Sequence, residues 1–155
     1  MKTLITLMAI AFALPGFAQT MEKRREKSEM IQRTKDLQKN AEEARKLFKL
    51  EKLEEGCAKV EFLFKNSPKH LTSIMSNMDI LNRKVARIQD EALDMLRSVH
   101  SMNNACKRGQ NQEKVDPDLF RDVLKDYAKK MKRHRNIIED KSTDFDNSYY
   151  YSYEF

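Results

Sequence analysis

The chain has 155 residues, of which 35% are charged, and it contains only three glycines and three prolines. So few helix-breaking residues leave room for long helices and little else, and they exclude a glycine-rich phosphate-binding loop. The net charge of +6 favours an anionic partner.

Residues 1–18 are typical of an export signal. Lys2 supplies a positive charge, residues 4–14 are an apolar run, and Gly16 and Ala18 place small residues before a cleavage site. The alternative is a membrane anchor, but a span needs about 20 apolar residues. The sequence therefore predicts cleavage near Ala18 and an exported chain, either periplasmic or secreted.

The hydrophobic periodicity predicts three helices, over residues 26–65, 69–107 and 117–141. Ser67 followed by Pro68 is typical of a helix N-cap and first turn, and Asp116 with Pro117 repeats that pattern.

The second predicted helix has the most regular pattern. Between Leu71 and Cys106, apolar residues recur at alternating steps of three and four, as in a coiled-coil seam. The seam consists of Leu71, Ile74, Met78, Leu81, Val85, Ile88, Ala92, Met95, Val99, Met102 and Cys106. An uninterrupted seam predicts one long helix packed against another.

The helix lengths predict an all-α fold, namely an elongated antiparallel three-helix bundle with a long two-helix coiled-coil arm. At 1.5 Å per residue the first two helices are about 55–60 Å long, and the third, at about 37 Å, covers only part of them. Near the tip of the arm, Phe62, Phe64 and Leu71 are the predicted surface for a protein partner or for self-association.

Residues 142–155 are predicted to form a flexible, tyrosine-rich acidic tail. Its aromatic residues Tyr149, Tyr151, Tyr153 and Phe155 alternate along the chain, which is the period of a strand. Two alternatives stay open: the tail is disordered, or it binds a partner by adding a strand to the edge of that partner's sheet.

The cysteines, Cys57 and Cys106, lie in a chain predicted to be exported, where disulfides form. If the first two helices turn near Ser67, the two residues lie about 43 Å apart. A disulfide needs Cα atoms within about 7 Å. The sequence therefore predicts no bond between them within one chain, and leaves buried free thiols or an intermolecular bond in an antiparallel dimer.

The densest basic cluster lies on the third predicted helix, at Lys129, Lys130, Lys132, Arg133 and Arg135. Such a cluster predicts weak, salt-dependent binding to anionic lipid or to an acidic partner, with no specific nucleic acid. The alternative is a solvated helix face.

No catalytic motif is present. His70, His100 and His134 are too far apart for metal-ligand spacing on one helix, and His134 is expected to be a half-buried packing residue. The sequence predicts a non-enzymatic protein without metal or cofactor.

The stretch from Leu119 to Ile138, LFRDVLKDYAKKMKRHRNII, together with the export signal and the long helices, resembles small periplasmic conjugal-transfer proteins of Bacteroidetes-type mobile elements. Those proteins act like the minor pilin of type IV secretion systems. The resemblance implies a structural or adaptor component of envelope assembly or conjugative secretion, with envelope or secretion-system proteins as partners.

Two alternatives stay open. The size, basicity and paired long helices are also similar to the Skp family of periplasmic holdase chaperones, although this sequence has no strands for the small β-barrel through which those proteins trimerise. The third candidate is a secreted helical spacer.

Overall fold

The computed structural model describes residues 2–78, 81–109 and 116–143, with side chains from residue 21 onward except at residue 142. This part of the chain is almost entirely helical and contains no strand. Its elements are α1 (Lys2–Lys49), α2 (Leu53–Asn77), α3 (Arg83–Gly109), α4 (Pro117–Glu139) and a short 3₁₀ helix (Lys141–Thr143). None of these helices is long and apolar enough to cross a membrane.

The four helices pack as an antiparallel up-down-up-down bundle in which chain neighbours are also neighbours in space and α4 closes against α1. The contacts that fix this order are Glu43 with Lys59, Cys57 with Cys106, Lys84 with Asp140, and Phe48 with Phe120. The prediction of an all-helical fold is confirmed. The predicted three-helix bundle with a projecting two-helix arm is wrong, because two of the predicted helices are each divided in two.

The predicted helix over residues 26–65 ends early, in a turn after Lys49. Lys52 N–H donates to the Leu47 carbonyl at 3.0 Å, and Glu51 N–H donates to the Phe48 carbonyl at 3.2 Å. Glu51 has a φ of 58°. These two hydrogen bonds, together with the left-handed conformation of Glu51, form a Schellman motif. The left-handed position of that motif is usually occupied by glycine. The chain therefore reverses direction at a glutamate, a residue type that does not indicate a helix end in the sequence.

We expect Glu51→Gly to stabilise the bundle by about 0.5–1 kcal/mol. A left-handed conformation costs a residue with a Cβ about 1–2 kcal/mol, and the greater freedom of glycine in the unfolded chain offsets part of that gain. Urea unfolding of both proteins measures the difference. Glu54→Gly, on an exposed position inside α2, is the control and should be destabilising.

The helix start predicted at Ser67 and Pro68 is also wrong, because both residues lie inside α2. Pro68 is exposed, and the buried stripe of α2 continues on both sides of it. That stripe consists of Gly56, Val60, Leu63, Ser67, His70, Leu71 and Ile74. Burial of this stripe outweighs the backbone hydrogen bond that proline removes.

The predicted continuous helix over residues 69–107 is interrupted instead between α2 and α3. Met78 has extended backbone angles, and the Asn82 side chain caps α3 by accepting a hydrogen bond from Lys84 N–H at 2.9 Å. Leu81, a member of the predicted seam, is 83% exposed. The seam therefore belongs to two antiparallel helices, and Leu81 lies in the connection between them.

The third predicted helix corresponds to α4, and its predicted start is confirmed. The Asp116 carboxylate accepts hydrogen bonds from Asp118 N–H and Leu119 N–H, at 3.0 and 3.2 Å, and Pro117 occupies the first turn.

The apolar core consists of two clusters, one in each half of the bundle. The cluster nearer the α1–α2 turn includes Leu37, Phe48, Leu63, Met95, Met102, Phe120, Leu124 and Met131. The cluster nearer the α2–α3 connection consists of Met30, Leu71, Ile74, Met78, Val85, Ile88, Ile137 and Ile138. Glycine is required at position 56 because the Phe48 ring of the first cluster packs directly against its backbone. A Cβ at this position would lie 2.9 Å from two ring atoms of Phe48.

Candidate functional site: a buried polar layer and a basic groove

A layer of polar side chains crosses the bundle between the two apolar clusters, and every helix contributes to it. Its members are Thr34 from α1, Ser67 and His70 from α2, Glu91 from α3, and Tyr127 and His134 from α4. All except Glu91 are buried, and the Glu91 side chain is 15% exposed. Buried polar groups are costly without partners, so their hydrogen bonds decide what the layer can do.

The hydroxyl groups of the layer fix the direction of its hydrogen bonds. Ser67 donates its only proton to the Leu63 carbonyl at 2.6 Å, so the Tyr127 hydroxyl, at 2.7 Å, donates to Ser67. Burial raises the pKa of Tyr127 above its ordinary value, which keeps this donor protonated. Thr34 likewise donates to the Met30 carbonyl at 2.7 Å.

Because the Thr34 proton is used, Thr34 can only accept from His70, whose Nε2 lies 3.4 Å from its hydroxyl. This favours the His70 tautomer with its proton on Nε2. The other ring nitrogen, Nδ1, is buried and has no hydrogen-bond partner among the described residues. A second proton on His70 would therefore enter the core without an acceptor.

His134 stacks on His70, with ring centroids 6.2 Å apart and planes inclined by 21°. Its Nε2 lies 3.5 Å from Glu91 Oε2, and neither ring nitrogen forms a hydrogen bond within the described residues. Glu91 is already ion-paired with Arg133 and Arg87. The prediction of a half-buried His134 is corrected to a fully buried one.

Burial keeps both imidazoles neutral. Desolvation, followed by the neighbouring His134 and Arg33, lowers the pKa of His70 to about 3. Desolvation, followed by Arg133 and Lys130, lowers the pKa of His134 to about 4. In the described part of the chain, no three His, Cys, Asp or Glu side chains are arranged to hold a metal ion. The two buried imidazoles pack against each other inside the bundle, and their lowered pKa values predict that acid destabilises the fold.

The residues predicted for the arm tip do not form one exposed patch. Phe62 is exposed, Phe64 is half-buried with its ring 5.7 Å from that of His100, and Leu71 is buried in the core. The predicted partner surface is therefore corrected to one exposed phenylalanine beside packed residues. The tail positions Tyr149, Tyr151, Tyr153 and Phe155 lie outside the described residues.

The five cations predicted as one basic strip separate onto different sides of α4. Lys130 pairs with Asp126 at 2.9 Å, Arg133 pairs with Glu91, and Arg135 is half-buried. Lys129 and Lys132 are exposed and line a groove between α4 and α1.

This groove has a volume of about 600 Å³ and joins cations from two distant segments. Its charged lining residues are Arg45, Lys46 and Lys49 of α1, Arg121, Lys125, Lys129 and Lys132 of α4, and the single carboxylate Glu42. Sequence reasoning missed the α1 cations because they lie about 80 residues from their α4 neighbours. The spacing of Arg45, Lys46 and Lys49, which places them on one face of α1, was the sequence feature that could have identified them.

Comparisons with protein-family models, with curated proteins and with solved structures found no match.

Proposed function

We propose that this chain is an exported, non-enzymatic helical bundle that acts as a structural or adaptor component of the cell envelope, in envelope assembly or conjugative type IV secretion. The observation that carries the export in this proposal is the bond between Cys57 and Cys106, whose Cα atoms lie 5.6 Å apart. It overturns the prediction that these cysteines do not pair within one chain. Because the chain turns after Lys49 and again after Met78, α2 and α3 are antiparallel and bring the two cysteines together.

A structural disulfide supports export, since such bonds persist in oxidising compartments and are rare in the cytosol. The same conclusion follows independently from residues 1–18, whose charge, apolar run and small residues are typical of an export signal. One feature of the structure and one feature of the sequence thus both support the proposed export.

The positions of the histidine and charged side chains support an adaptor role. His70 and His134 have no exposed surface and so cannot reach a substrate. The exposed charged groups lie on rigid helix faces, which suit contacts with other proteins. The Skp-like alternative and self-association through an arm both need a projecting two-helix arm, and α2 and α3 are instead packed into the bundle.

Export is tested by expressing the full chain in a bacterial host beside a version that lacks residues 2–18. We expect the full chain to be exported, to begin at Gln19, and to resist thiol alkylation until it is reduced. The shortened version should stay in the cytoplasm with two reactive thiols. Ala18→Arg is the matched control, which should be exported without cleavage because the residue before the cut must be small.

Retention of the intact full chain in the cytoplasm would contradict the proposal. The adaptor role is then tested by cross-linking the exported chain in cells that carry a conjugative secretion system. Recovery of envelope or secretion proteins is the expected result, and recovery of none would count against an adaptor.

A further inference from the structure

We propose that the groove between α1 and α4 is the docking site for an acidic segment of a partner polypeptide. This inference rests on the proposed adaptor function and names the chemistry of the partner. It goes beyond the predicted strip on α4, because half of the site comes from α1.

The two walls of the groove repeat one pattern. The α1 residues Gln38, Glu42, Arg45, Lys46 and Lys49 occupy positions i, i+4, i+7, i+8 and i+11. The α4 residues Arg121, Lys125, Ala128, Lys129 and Lys132 have the same spacing. Residues so spaced share one helix face. Since Phe48 packs on Phe120, the two rows run antiparallel and face each other across the groove.

The charge of the groove is largely uncompensated. Arg121 pairs with Asp118, and Glu42 accepts a hydrogen bond from the Gln38 amide at 2.9 Å. The other cations, which form no ion pair with a described residue, are Arg45, Lys46, Lys49, Lys125, Lys129 and Lys132. Some lysines outside the groove are paired, as Lys59 is with Glu43 and Lys65 with Glu61. Cations that line one groove repel each other, and a polyanion bound in the groove would relieve that repulsion.

The shape of the groove favours a polypeptide over a membrane surface. At 1.5 Å per residue the rows extend about 17 Å, which matches three turns of a helix or about five extended residues. Ala128, a small residue of the α4 row that is 8% exposed, also lines the groove. A helix that inserts into the bilayer interface places apolar side chains beside its cations. None of the exposed large apolar residues of the described chain lines the groove, although Leu50 and Leu119 are close in sequence to its end residues Lys49 and Arg121.

The test measures binding of the purified full chain to a fluorescent 20-residue peptide in which half of the residues are glutamate. Fluorescence anisotropy is recorded at 50 and 300 mM salt. The variant K125E/K129E/K132E should weaken binding at least tenfold at low salt. The control K69E/R83E/R97E alters exposed residues of α2 and α3 by the same total charge and should weaken binding less than twofold.

Equal losses in both variants would overturn the proposal, since they would show only general charge attraction. Tighter binding to phosphatidylglycerol vesicles than to the peptide, lost in the groove variant, would assign the groove to a membrane and also overturn it. The milder variant K125Q/K129Q/K132Q gives the answer if charge reversal unfolds the bundle, which circular dichroism detects. Export and cleavage do not enter this assay, so its failure is distinct from failure of the proposed function.

Discussion

Lowering the pH from 7 to 4 should destabilise the bundle by about 3 kcal/mol for each of His70 and His134. Both histidines have a pKa near 6.5 in the unfolded chain and a lowered pKa in the folded one, so the unfolded state binds more protons between those values. Stability is therefore complete above pH 6.5 and falls as the pH drops toward 4 and then 3.

The groups around the two rings explain the direction of this effect. His70 faces Thr34 and the Arg33 cation of α1 and the His134 ring of α4. His134 faces Glu91 of α3, but that carboxylate is already paired with Arg133. No acceptor is therefore available for the added proton of His70, and only a shared carboxylate is near His134.

Urea unfolding at intervals between pH 4 and 7, with the disulfide intact, measures the effect. The double variant His70→Leu, His134→Leu should lose most of the pH dependence above pH 4.5 and keep a folded core, because an apolar cluster lies on each side of the layer. His100→Gln is the control, since His100 is exposed and bonds only to Asn104. A wild-type slope that persists in the double variant would show that other groups cause the acid lability.

Reduction of the bond between Cys57 and Cys106 should cost about 4 kcal/mol of stability. The cysteines are 49 residues apart in sequence, and opening a loop of that length returns this much conformational entropy to the unfolded chain. Such a loss is a large part of the 5–15 kcal/mol that holds a typical domain folded. The reduced protein should still be helical, because the core contacts on both sides of the bond do not depend on it.

Urea unfolding of the oxidised and reduced wild-type chain gives this difference without changing any side-chain volume. The variant Cys57→Ala, Cys106→Ala should match the reduced protein and should not respond to reductant. Two free thiols in the purified, unreduced chain would contradict the assigned bond, and an intermolecular bond would appear as a dimer under denaturing conditions.

Local patterns in the sequence were sufficient for the helical class and for one helix start. The scarcity of glycine and proline and the helical spacing of the apolar residues together predict helices and no strands. Asp116 and Pro117 are a strong signal for a helix start, because the Asp116 side chain and the Pro117 ring both act within the first turn of that helix. The only sequence feature near the turn after Lys49 is an extra apolar residue, Leu50, which shifts the spacing of the apolar residues along the first predicted helix. The sequence did not predict this turn because the left-handed position is occupied by Glu51, whereas such positions usually hold glycine.

The number of helices, the disulfide, the polar layer and the groove were decided by tertiary structure. Leu81 continues the spacing of the seam although it lies in a connection, because periodicity records which residues are apolar and not whether the backbone stays helical. Pro68 lies inside a helix because packing on both sides outweighs one lost hydrogen bond. His70 stacks on His134, and the cations of α1 line one groove with those of α4, only because the four helices close into a bundle. Such contacts join residues more than 60 positions apart, and no local pattern carries that information.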